Sequence, residues 1–109
     1  MNPRIDVGVI RLTGELDVAR KRELRDVLQL DSAARAVLLD LSEVTYADST
    51  ALTQLLQFNE TARENGVPVA IVAAAPQFVR LIQYAGLFEA FSVFPDRAGA
   101  LDHLKEAST

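Results

Sequence analysis

The chain contains no cysteine. Disulfides, thiolate metal ligands and cysteine nucleophiles are excluded with it. Histidine occurs once, at His103, and lysine only at Lys21 and Lys105. A single imidazole with no thiolate does not make a nitrogen- or sulfur-liganded metal site. Gly8 and Gly14 stand alone, so there is no glycine-rich phosphate loop. His103 sits between Asp102 and Leu104 in a helical stretch, away from any strand end, and reads as a surface or boundary residue. Nothing groups a nucleophile, a base and oxyanion donors. The expectation is a protein that is not an enzyme and takes no cofactor.

Blocks of like charge are missing too. The formal net charge is −4. The densest charged run, Arg20-Lys21-Arg22-Glu23 with Arg25 and Asp26, mixes signs and reads as a solvated helix face. Without a basic footprint, no direct nucleic-acid partner is expected. The longest apolar run, Val67 to Ala75, contains Pro68 and falls far short of the ~20 apolar residues of a membrane span. No secretory pattern is visible, and the lack of cysteine suits a reducing compartment. The reading is a cytoplasmic protein without membrane insertion.

Half of the residues are hydrophobic and 24% are charged, a balance that excludes disorder. The 109 residues suit one domain, 1–109. Val7 to Thr13 alternates like a strand that Gly14 ends. Val18 to Leu30 reads as an amphipathic helix with Leu24, Val27 and Leu28 inward. The short apolar run Ala36 to Leu41 suits a strand covered on both faces, with Ser42 to Tyr46 as a loop. From Ser49 to Asn65 the pattern is helical, with Leu52, Leu55, Leu56, Asn59 and Ala62 on one face and Gly66 as the stop. Val69 to Ala73 is a buried strand. Pro76 opens a helix with Phe78, Leu81, Ile82 and Ala85 inward, and Gly86 stops it. Phe91 to Phe94 is a short strand, and Asp96 caps a last helix that buries Ala98, Leu101 and Leu104. This βαβαβαβα order predicts an α/β fold with right-handed crossovers and a largely parallel sheet. An abbreviated strand at Arg4 to Asp6 would add a fifth. Sites in such sheets lie at the carboxyl ends of the strands, where the segment Asp48-Ser49-Thr50 falls.

Two readings of that segment are open from the residues alone. Asp, Ser and Thr all cap helices, at ~1 kcal/mol each. One cap needs one such residue, and here there are three. A helix start also tolerates added negative charge, so a phosphate on a hydroxyl here would spare the fold while changing the nearby surface.

Three stretches carry a family resemblance. Leu12-Thr-Gly-Glu-Leu-Asp17 is similar to the LTGELD signature of anti-sigma factor antagonists. The run from Leu39 to Leu52, LDLSEVTYADSTAL, resembles their DLSxVxFxDSSGL signature, and Ala85-Gly-Leu-Phe-Glu-Ala-Phe91 resembles their SGLFxxF ending. In order and spacing these look like a STAS domain of the anti-anti-sigma-factor kind. The resemblance implies a STAS fold, with about four helices on a mixed, mostly parallel sheet of four to five strands. It implies binding rather than catalysis. The implied partners are an anti-sigma factor that is itself a Ser/Thr kinase and a PP2C-type phosphatase that resets the switch. By position, Thr50 would be the phosphoacceptor, and Asp17, Asp48, Ser49 and Ala51 would border the docking surface. Ala51 replaces the family's usual glycine and would set a methyl beside the hydroxyl. STAS domains also serve in stress-sensing complexes and as subunits of lipid-transport ATPases, and the sequence does not choose among these. A phospho-Asp receiver, suggested by Val37 to Leu41, lacks the acidic pair after the first strand and the lysine after the last.

Overall fold

The computed structural model describes residues 7–31, 33–87 and 90–107. Four strands, β1 (Val7–Leu16), β2 (Ala36–Ala47), β3 (Val69–Ala73) and β4 (Ser92–Phe94), form one sheet in the order β1-β2-β3-β4. Every pairing is parallel. Between them run a 3₁₀ turn (Val18–Arg20) with α1 (Lys21–Val27), then α2 (Ser49–Glu64) and α3 (Pro76–Tyr84); α4 (Arg97–Ala107) follows β4. The expected alternation of strands and helices is therefore present. The expected extra strand at Arg4 to Asp6 lies outside the described residues.

Side-chain alternation along β2 builds the layers. Val37, Leu39 and Leu41 face the core with Leu24 of α1, Leu55 and Phe58 of α2, and Phe78 and Ile82 of α3. Ala36 and Leu38 face the other side, with Ala70 and Val72 of β3 and Ala100 and Leu104 of α4. The continuous apolar runs of β2 and β3 thus reflect cover on both faces.

Several expectations are corrected. Ser42 to Tyr46 is not a loop but the second half of β2. Where β1 advances from Arg11 to Thr13, β2 advances from Asp40 to Glu43; where β1 advances from Gly14 to Glu15, β2 advances from Val44 to Tyr46. These two bulges space the inward residues Leu41, Val44 and Ala47 three apart and break the alternation of a regular strand. Gly14 does not end β1; it lies inside the strand with φ +78, beside the second bulge. The first helical segment is shorter than Val18 to Leu30, and Val27 is exposed. In α2 the buried aromatic is Phe58, with Asn59 at the boundary, its amide donating to the Ala90 carbonyl at 2.9 Å. Ala85 and Ala98 are exposed, and Ala100 takes the inward place expected of Ala98. Asp96 does cap α4, accepting from the Gly99 amide at 2.9 Å. His103 is half-buried against the Phe94 ring, with centroids 5.2 Å apart.

Among the described residues one charged side chain is buried, Asp40 on the α4 face of β2. It accepts from the Ser42 hydroxyl at 2.7 Å, the Ser42 amide at 3.1 Å, and Arg97 at 2.8 and 2.6 Å. Burial alone would raise its pKa, but the Ser42 hydrogen bonds and the Arg97 guanidinium outweigh it and hold the carboxyl below its usual range. A carboxylate with a depressed folded pKa stabilises the fold above its unfolded pKa, and that contribution is lost as pH falls through the folded pKa. Asp40→Asn should therefore cost about 1–3 kcal/mol at neutral pH, the usual worth of hydrogen bonds to a charged group. In urea unfolding followed from pH 7 to pH 2, the gap between wild type and variant should close below about pH 4, near the unfolded carboxylate pKa. A gap that stayed constant down to pH 2 would remove the ion pair from the account.

Candidate functional site: paired turns at the carboxyl ends of β1 and β2

Leu16 and Ala47, the last residues of β1 and β2, are register partners. The residues that follow, Asp17 and Asp48, therefore leave the sheet side by side. Each opens a helical segment with extended backbone and a capping carboxylate. Asp17 accepts from the Ala19 amide at 3.0 Å. Asp48 does more: Oδ1 accepts from the Ala51 amide at 2.9 Å, Oδ2 accepts from the Val18 amide at 3.0 Å, and its own amide donates to the Leu16 carbonyl at 3.0 Å. One carboxylate thus satisfies a free amide in each of two adjacent helix starts.

Neighbouring side chains fix the same corner. β2 runs past its last partner on β3, which pairs Leu41 with Ala73. That leaves the outer edge at Ala47 without a strand, and Gln77 of α3 takes its place. The Gln77 amide accepts from the Ala47 N–H and donates to the Ala47 carbonyl, both at 2.9 Å. On the other side, Arg20 donates to the Thr13 and Glu15 carbonyls at 2.6 and 2.9 Å, where β1 faces the second bulge of β2, and to Glu23 at 2.6 Å. The Glu23 hydrogen bond, acting against a little burial, raises the Arg20 pKa and keeps this pin charged. Gln54 of α2 donates to the Lys21 carbonyl at 2.8 Å and ties α2 to α1. Gln77 and Gln54 escaped the sequence reading, because their partners are backbone atoms some thirty residues away, and Arg20, read there as part of a solvated helix face, instead turns in to the carbonyls of β1.

Ser49 and Thr50 form the first turn of α2. Ser49 is exposed and Thr50 partly so, and among the described residues the Thr50 hydroxyl makes no hydrogen bond. Asp17 is half-buried beside them. Ala51, expected at the docking surface, is instead fully buried in the core of β2 and α2. Its methyl points inward, so it packs the helix against the sheet and offers nothing to a partner. Of the five residues singled out, Asp17, Asp48, Ser49 and Thr50 share this corner, and Asp48 has both carboxylate oxygens engaged by backbone. No group of acidic or histidine side chains able to hold a metal ion occurs among the described residues. No helix among them is long and apolar enough to cross a membrane.

The sequence pattern of the STAS domain family matches residues 2–100. Solved structures share the fold. An anti-sigma factor antagonist from Mycobacterium paratuberculosis is 24% identical, with a TM-score of 0.83 over 95% of this chain and 90% of its own. A sulfate transporter family protein from Wolinella succinogenes is 19% identical, with a TM-score of 0.81 over 98% of this chain and 91% of its own. The Bacillus cell fate determinant SpoIIAA in its phosphorylated form is 18% identical, with a TM-score of 0.67 over 94% of this chain and 95% of its own. At these identities the likeness carries the fold, and regulators and transporter proteins share it. With the family pattern spanning nearly its whole length, the chain belongs to the STAS domain family.

Proposed function

We propose that this STAS domain is an anti-sigma factor antagonist, a partner-switching regulator controlled by phosphorylation of Thr50. The carrying observation is the Thr50 hydroxyl, free of internal hydrogen bonds on the first turn of a helix whose start is held by Asp48. Unmodified, the domain binds an anti-sigma factor that is a Ser/Thr kinase, and a sigma factor is released. The kinase then transfers the γ-phosphoryl group of ATP to the Thr50 oxygen, with ADP leaving and the hydroxyl proton passing to solvent or a kinase base. The helix start stabilises the added charge, so the fold survives. A new dianion at a close interface disfavours the complex, and a tens- to hundreds-fold loss of affinity needs only ~1.4–3 kcal/mol. A PP2C-type phosphatase restores the hydroxyl. These events belong to the bacterial cytoplasm. A neighbour of the same fold solved in a phosphorylated form supports this reading.

The transporter-family neighbour favours a second reading, a STAS domain acting beside a membrane transporter. There the partner is not a kinase, and Thr50 has no phosphoacceptor role. Incubation with the cognate kinase and ATP, followed by peptide mapping, separates the two. Phosphate should appear on Thr50, Thr50→Ala should keep kinase binding and lose labelling, and Thr50→Glu should stay folded and bind weakly. Phosphate on Ser49 alone, or equal affinity of modified and unmodified protein, would overturn the first reading.

The corner's own support is separately measurable. Asp48→Ala removes two charge-assisted hydrogen bonds and should cost about 1–3 kcal/mol in urea unfolding. Gln77→Ala removes two neutral ones, for about 1–2 kcal/mol. Amide hydrogen exchange should speed up at Val18 and Ala51 in the first variant and at Ala47 in the second. Unchanged exchange at those amides would show that the turns are held by something else.

A further inference from the structure

The mixed-sign run from Arg20 to Asp26 does not stay mixed once folded. Arg20 turns inward to Glu23 and the carbonyls of β1, so these two neutralise each other. Among the described residues Asp26 reaches Arg25 alone, at 3.9 Å with both side chains exposed. Lys21, Arg22 and Arg25 are left lining a groove of about 600 Å³ between α1 and α2, with Val18, Ala19 and Gln54. Beyond Arg25 and Gln54, which belong to both, the groove continues as a second concavity of about 240 Å³ over Leu28 and Phe58. Among the described residues, no acidic side chain lines either part. The chain as a whole carries a net charge of −4, so this groove reverses the prevailing sign. At its mouth Val18 is 65% exposed, an aliphatic side chain with no cover of its own.

Thr50 neighbours that groove along α2 without lining it. It lies one helical turn before Gln54 on the same face of α2, and residues four apart are surface neighbours. Gln54 hydrogen-bonds Lys21, and the helix cap of Thr50's own turn hydrogen-bonds Val18. Asp17 and Asp48, which the resemblance sets at the border of the docking surface, turn carboxylate oxygens to backbone amides, Asp17 one and Asp48 both.

We infer that the α1–α2 groove is the docking site for an acidic segment of the partner protein, with an apolar side chain of that segment covering Val18. Two adjoining concavities that share Arg25 and Gln54, the second lined by Leu28 and Leu30 among glutamines, fit a stretch of polypeptide better than a compact anion. Charge complementarity sets the sign of the segment. The inference rests on the partner-switching reading and adds to it the mechanism of release. A phosphate on Thr50 brings a dianion beside the groove, where it repels the acidic segment and draws Lys21 to itself.

The test is a chemical-shift titration of the ¹⁵N-labelled protein with a blocked peptide alternating glutamate and leucine, with its glutamine analogue, and with inorganic phosphate. The acidic peptide should shift the amides from Val18 to Arg25 and at Gln54. Its affinity should fall about tenfold or more in Lys21→Glu/Arg22→Glu, whose surface positions leave the fold intact by circular dichroism, and several-fold in Val18→Ser, as expected for a charge-selected contact. Equal binding of the glutamine analogue, equal shifts with phosphate alone, or shifts confined to another face would overturn the inference. Thr50→Glu should weaken the acidic peptide. If the peptide binds the groove and Thr50→Glu leaves its affinity unchanged, the docking site stands and the phosphorylation switch falls.

Discussion

Two strand ends meet at one carboxylate. Because β1 and β2 are parallel and Leu16 pairs with Ala47, the chain leaves the sheet twice at the same edge and must start a helical segment each time. Both starts expose amides that need acceptors. Asp48 supplies one to each, through Oδ1 to Ala51 and Oδ2 to Val18. The relative placement of the 3₁₀ turn and α2 follows from that shared acceptor, and the Gln54 to Lys21 hydrogen bond and the Gln77 clamp extend it on either side. Thr50 inherits its position from this arrangement and contributes nothing to it, which is what a hydroxyl free for modification requires.

The opposite face of the sheet solves a different problem. α4 covers β2 and β3 with small and aliphatic side chains, and Asp40 lies at the limit of that cover. A buried carboxylate is tolerated only when its oxygens are filled, and Ser42 and Arg97 fill them. Arg97 stands at the start of α4, so the pair also fixes where that helix begins on the sheet. An acid so enclosed is no nucleophile toward a phosphoryl donor, which removes the structural basis for reading Val37 to Leu41 as a receiver's acceptor strand.

Periodicity carried the fold where strands and helices are regular. Val69 to Ala73, Leu55, Phe78, Ile82 and Leu104 lie where an apolar run or a helical face puts them. It failed at the two bulges of β2, because a three-residue spacing of Leu41, Val44 and Ala47 looks like neither a strand nor a helix and Ser42-Glu43 looks like a turn. Asp17, Asp48, Ser49 and Thr50 were legible as a cluster because capping chemistry is local. Their division of labour was not, since it depends on Val18 lying beside Asp48, thirty residues away. Ala51 was misjudged for a related reason: sequence adjacency to Thr50 says nothing of orientation, and one residue of helix turns its side chain by about 100° into the core.

The charge pattern repeats that lesson at the level of electrostatics. Summed along the chain, Arg20 to Asp26 interleaves four basic residues with two acidic ones. Folding sorts the run, because the carbonyls of β1 and Glu23 hold Arg20, while Lys21, Arg22 and Arg25 stay outside that network, Arg25 facing the exposed Asp26 at 3.9 Å. The potential a partner meets is set by the charges left over, within a screening length of about 8 Å at physiological salt. Thr50 lies one helical turn before Gln54, whose side chain holds the Lys21 carbonyl, so the same backbone hydrogen bonds that hold the corner together also set which part of α1 lies nearest a phosphate there. Stability of the turn and the sign of the α1–α2 groove are then two consequences of one arrangement, and a change to the first alters the second.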